Sequence, residues 1–246
     1  MIKLFRHIRR RLLAENRFTR YLLYAIGEIV LVVVGILIAV QINSWNQHRM
    51  DQRTVSQYRA NLIEDLVADS IAIEEALAGI RVDSARLADI GARVAASDAP
   101  LDTIRQIARS EYIFYIWLQP EYRMDTYQVL GSTGDIGLFD QELIRALNAL
   151  HNAQQRALRI GHITLENYRN SLLEYERHYP VPFEGNLLRH DSRAAELIWE
   201  VVSLSEHATR FNALVLSKGD NYRVSLTHLS DLQAQSNELL YILKRR

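Results

Sequence analysis

Residues 21–42, YLLYAIGEIVLVVVGILIAVQI, form an apolar run whose full length suits one solvent, the hydrocarbon of a lipid bilayer. About 20 residues rising ~1.5 Å each cover the ~30 Å core of a membrane. The run carries one formally charged residue, Glu28, against fourteen Leu, Ile and Val side chains. Those side chains favour insertion by about 4–8 kcal/mol in all, whereas one central acidic residue opposes it by roughly 2.5–3.5 kcal/mol, so insertion wins.

Glu28 lies about 10 Å below the nearer boundary of such a helix, deep enough to require protonation, a partner or escape of the carboxylate toward the headgroups. On a helical wheel Tyr24, Gly27, Glu28, Leu31, Gly35, Ala39 and Ile42 share one face. Gly35 and Ala39 stand four apart, a small-residue spacing that lets helix backbones approach closely. We therefore expect Gly27, Gly35 and Ala39 to pack a helix–helix contact with Glu28 beside it. The bland alternative is a simple anchor in which Gly and Ala are incidental and Glu28 is neutral or snorkels.

The chain has no net formal charge, yet Lys3, Arg6, Arg9, Arg10, Arg11, Arg17 and Arg20 precede the run, opposed there by Glu15. An excess of basic residues marks the cytoplasmic side, so residues 1–20 are expected in the cytoplasm and residues 43–246 across the inner membrane, in a periplasmic or other extracytoplasmic space. A cleaved signal peptide would be shorter and end in small residues, whereas AVQINSWN follows here. In MIKLFRHIRRRLL the apolar Met1, Phe5, Ile8 and Leu12 recur at helical spacing opposite the arginines. That pattern suits a helix lying on the anionic headgroups, and with a span attached the bilayer, not nucleic acid, is the expected polyanion. Trp45 and Tyr21 suit the two interfacial belts.

Beyond the span, apolar residues continue at steps of three and four from Val55 to Val94 without proline, predicting one long helix or two nearly continuous ones. SDAP at 97–100 ends it. The spacing then predicts a helix over residues 103–118 capped by Asp102, a long helix from Asp140 to about His178, another capped by Asp191, and a last one with a break near Gly219. No stretch alternates with period two. The fold class is therefore all-α: a transmembrane helix followed by an elongated antiparallel bundle of four to five helices.

The least regular segment, EYRMDTYQVLGSTGDIGLFD at 121–140, concentrates glycines but lacks the lysine of a phosphate-binding loop and the preceding strand of a dinucleotide site, so it reads as a turn. If the ectodomain contacts a small molecule, Tyr122, Tyr127 and Ser132 are the expected residues. His162 and Glu166, with His151 upstream, lack a second ligand pair, and Glu74–Glu75 or Glu64–Asp65 are neighbours that point apart on a helix. We expect no metal, no cofactor and no catalytic group.

The residues RFTRYLLYAIGEIVLVVVGILIAVQIN with Trp45 and Asn46 resemble the N-terminal signature of a family of uncharacterised bacterial membrane proteins abundant in Bacteroidota. The likeness is close over about the first fifty residues, includes Glu28, and is weaker at Tyr127 to Gly134 and Asp140 to Leu147. It implies an anchored helical protein and supplies no activity. Two functions follow as expectations. One is a non-enzymatic scaffold or sensor that self-associates through its span and meets a protein partner through its ectodomain. The other is a homo-oligomeric ion or proton pathway using Glu28.

Overall fold

The computed structural model describes residues 18–188 and 192–245, with side chains from Tyr21 onward in the first stretch. Six helices occur there: α1 (Phe18–Ala95), α2 (Pro100–Ser110), α3 (Asp125–Thr133), α4 (Gln141–Glu176), α5 (Arg193–Val201) and α6 (Leu204–Arg245), with a 3-10 turn at Asp135–Leu138. No strand occurs among the described residues, and the fold is all-α. The basic amphipathic segment expected near Met1 to Leu12 lies outside the described residues, as does Asp191.

The chain divides into two units, Met1–Gln57 and Tyr58–Arg246. In the first, the described residues form helix alone, and side chains 26–50 are all exposed. It is the one helix long and apolar enough, by length and composition, to cross a membrane among the described residues. Trp45 is exposed, with the Arg49 guanidinium 5.8 Å above its ring.

The second unit is built on three long elements: residues 58–95 of α1, α4 and α6. Buried positions alternate in steps of three and four: Leu62, Leu66, Asp69, Ile73, Ala76, Ile80 and Asp83 on α1, and Leu143, Leu147, Leu150, Gln154, Ala157, Gly161 and Thr164 on α4. A period near 3.5 keeps one seam facing its partners, as in coiled coils. Tyr175 meets His207 and Thr164 meets Asn221, so α6 runs antiparallel to α4. Asp83 meets Tyr222 and Arg59 meets the Leu243 carbonyl, so α6 is antiparallel to α1 as well. The α1 segment and α4 are thus parallel, and the chain must travel back along the bundle between them.

That return path corrects the helix predicted over 103–118. Helix α2 begins at Pro100, with Ala99 as an N-cap lacking a side-chain bond, and stops at Ser110. Asp102 sits in its first turn and pairs with Arg105 at 2.8 Å instead of capping it. Residues 112–124 form no regular element. Tyr112 and Phe114 are buried while Ile113 and Tyr115 are exposed, the alternation of an extended chain. Aromatic and β-branched residues lose rotamer freedom in a helix and fit extended backbone well.

Other termini follow local chemistry. The Asp140 carboxylate caps α4 by accepting from the Leu143 N–H at 3.0 Å, as expected. Ser192 is the N-cap of α5, accepting from the Ala195 N–H at 3.1 Å. The segment read as a turn holds α3, which ends where Gly134 adopts φ 81°, a left-handed conformation that suits glycine. No break occurs at Gly219, since α6 runs through it.

Two glycines make room for the extended segment. A Cβ on Gly79 of α1 would lie 2.3 Å from the Trp117 ring, and one on Gly161 of α4 would lie 2.6 Å from the Gln119 side chain. Gly79→Ala should therefore lower the thermal midpoint and alter tryptophan emission as the indole is displaced. Gly91→Ala on the same helix, where an added Cβ meets nothing, should instead stabilise by up to about 1 kcal/mol through helix propensity. Thermal melts of the two variants in detergent check the opposite signs.

Candidate functional site

The residues of the apolar run singled out from sequence stand bare. Glu28 and Ala39 are exposed on α1, and a Cβ added at Gly27 or Gly35 would touch nothing within 4 Å. Tyr24 and Leu31, on the same helical face, are each 75% exposed. The structure thus gives this face no partner among the described residues of the chain.

In the second unit the most concentrated chemistry surrounds Lys218, which is wholly buried on α6. Its ammonium lies 2.7 Å from the Asp83 carboxylate and donates to the Ile113 carbonyl at 2.6 Å. The rings of Tyr112 and Tyr222 flank it at 5.1 and 5.5 Å. Tyr222 donates its hydroxyl hydrogen to Asp83 at 2.7 Å and accepts from the Trp117 N–H at 3.1 Å. Arg86 adds a second cation to Asp83 at 3.2 Å. Burial pulls the Lys218 ammonium below its ordinary value, while the hydrogen bond and charge of Asp83 hold it up. Held by a carboxylate and a backbone carbonyl and wholly buried, the ammonium fastens the extended segment to α1 and α6.

Farther along the same segment, the Arg123 N–H donates to Asp69 at 2.9 Å and the Gln154 amide donates to the other oxygen at 3.0 Å. Asp65, one turn away, accepts from the Thr126 hydroxyl at 2.5 Å. Burial raises the Asp69 carboxyl above the usual range and Asp65 adds to the rise, against the Arg123 and Gln154 bonds. Asp65, Asp69, Gln154, His151 and Tyr127 line a cleft of about 30 Å³ floored by leucines. That is room for about two waters, too small for a metabolite. A shallower depression of about 220 Å³ lies on the outer side of the segment, lined by Ile113, Tyr115, Ile116 and Trp117 with Asp83 and Arg86.

Of the three ligand-loop residues expected from sequence, Tyr127 reaches the cleft. Its hydroxyl donates to Asn148 at 2.6 Å and its ring stacks on His151 at 4.4 Å. Tyr122 is buried nearby, its hydroxyl without a hydrogen-bond partner and held above its ordinary pKa by burial and by Asp69. Ser132 is exposed on α3, bonded to the Val129 carbonyl, and does not line the cleft. No group of three or more His, Asp or Glu side chains among the described residues is placed to hold a metal. Sequence reasoning missed Asp69, Asp83 and Lys218; the available signal was a charged residue at a core position of the seven-residue pattern.

The sequence profile of a family of unknown function, DUF6090, matches residues 28–98, a stretch that begins at Glu28 and ends just past α1. No curated protein and no solved structure matches the chain.

Lys218→Met leaves Asp83 buried without its main counter-charge and should cost about 3–5 kcal/mol of stability. Adding Asp83→Asn should recover part of that loss, giving a coupling of more than about 1 kcal/mol in a double-mutant cycle of denaturant melts. Additive losses would mean that the pair is not coupled.

Proposed function

We propose that this chain is a single-pass, membrane-anchored scaffold or sensor, without catalytic activity, whose copies associate through the span and whose helical domain receives a protein partner. The observation that carries this reading is the contrast within α1. Its apolar residues through Ile42 are almost wholly exposed, whereas from Leu62 onward its core positions are buried against other elements. An exposed apolar helix of this length belongs in lipid, and small residues on one face favour close approach of a second helix there. The partner surface is best supported at the outer side of the extended segment, where Tyr115 is 72% exposed beside Trp117 and Arg86. Tyr, Trp and Arg are the side chains that most often dominate binding energy at interfaces.

The absence of cysteine allows a direct test in native membranes. Ala39→Cys, on the proposed contact face, should form disulfide-linked dimers selectively over Leu37→Cys, on the roughly opposite face. Equal or absent cross-linking at the two positions removes self-association through this face.

A second reading rests on Glu28, a carboxylate in an apolar span that no described side chain pairs with. In it, copies of the chain line an ion or proton pathway with this residue, because an intramembrane ionisable group is a functional candidate by default. Purified chain in planar bilayers should then pass cations, with conductance falling at least several-fold in Glu28→Gln. Conductance unchanged by that substitution sinks the role.

A further inference from the structure

Helix α5 is seated on the rest of the second unit through two buried residues, Ala195 and Trp199. Trp199 stacks on Tyr179 with centroids 5.9 Å apart and meets the ring of His207 edge-on at 5.1 Å. His207 is wholly buried, enclosed also by Phe211, Tyr175 and Tyr179. Its Nε2 is 2.9 Å from the Tyr175 hydroxyl, while its Nδ1 and the neighbouring Trp199 Nε1 have no hydrogen-bond partner. Neutral imidazole fits this enclosure. A second ring proton would place a full charge among aromatic walls with no carboxylate bonded to it.

The charged groups around it do not rescue that charge. On α2, Arg105 adds a repulsive field and is itself paired with Asp102, while Arg109 lies over the outer face of Trp199 at 5.5 Å. Glu174 at the end of α4 is engaged by Arg177, His178 and Arg210, and Glu206 on α6 by Arg210. On α5, Arg193 holds Glu196 and Glu200; on α1, Arg93 holds Asp89 and, beyond α2, Glu111.

We propose that His207 is the bolt of an acid-triggered latch: neutral, it seats α5 on the aromatic cluster; protonated, it releases α5 and uncovers Tyr175, Tyr179 and Phe211 while α4 and α6 stay paired. An extracytoplasmic domain built this way exposes an aromatic surface in response to acid. Burial, with Arg105 adding to it, holds the His207 pKa at about 4, against an ordinary value of 6.5. The folded-state value is depressed, so the contribution to seating is complete above pH 6.5 and is lost as pH falls toward 4. By linkage the opening constant of α5 rises about 20-fold between pH 7 and pH 5 and about 100-fold by pH 4.

Hydrogen exchange of the full-length chain in lipid nanodiscs reads this directly. After correction for intrinsic exchange, protection of the amides in Arg193–Val201 should fall about 20-fold between pH 7 and pH 5, with α4 and α6 unchanged. His207→Gln, which cannot take up the proton, should abolish the fall. Arg105→Gln should make it smaller, because removing the repulsive charge lifts the folded-state value toward the ordinary one; this variant carries the test if His207→Gln does not fold. Constant protection in the native chain, the same fall in His207→Gln, an unchanged or larger fall in Arg105→Gln, or simultaneous loss of protection in α4 and α6 each overturns the latch.

Discussion

A length of extended backbone cannot satisfy its own polar groups, and residues 112–124 lie against a helical bundle whose main-chain bonds are already used. Side chains must supply the partners, and Lys218 is the one on which the arrangement turns. It binds the Ile113 carbonyl and, through Asp83 and Tyr222, fixes the Trp117 N–H. Tyr168 donates to the Phe114 carbonyl and Asp69 accepts from Arg123 to complete the line. The desolvation of an ammonium and a carboxylate is offset here by hydrogen bonds to each, by two aromatic faces and by the backbone groups that would otherwise stand unpaired.

Much of the helical layout was legible because periodic apolar residues and end chemistry pointed the same way, as with the Asp140 cap and the unbroken pattern from Val55 to Val94. The extended segment was not legible. YIFYIW is apolar at every position, so inward and outward residues carry no contrast and period two is invisible. Asp69 and Asp83 fall at core positions of the pattern, but the groups that justify their burial lie far along the chain, Tyr222 being 139 residues from Asp83. His207 was hidden for the same reason: its enclosure is assembled from α4, α5 and α6, which no local window spans. Of the site residues expected from sequence, Tyr127 joins a cleft, Tyr122 is buried core, and Ser132 stands apart.

The two parts of α1 differ sharply in pattern. From Tyr21 to Ile42 the helix is apolar apart from Glu28 and Gln41, a stretch long and apolar enough to cross a membrane. From Tyr58 it is amphipathic, with a heptad seam inward and Arg, Asp and Glu outward. The family match from residue 28 to 98 covers parts of both and stops before the extended segment, so of the clasp around Lys218 it includes Asp83 and Arg86 but not Lys218, Tyr222 or the segment they hold.

The position of α6 bears on how the domain is made. Arg59 bonds the Leu243 carbonyl and Asp83 meets Lys218 and Tyr222, so part of the α1 seam is completed by the last helix in chain order. Contacts so far apart in sequence must close large loops before they yield stabilisation, which slows folding. During synthesis α1 emerges with Asp83 on its core face and Arg86 as a nearby cation, while Asp69 awaits Arg123 and Gln154. The Asp83 end of its seam is completed only when α6 arrives, so this part of the core closes last in chain order.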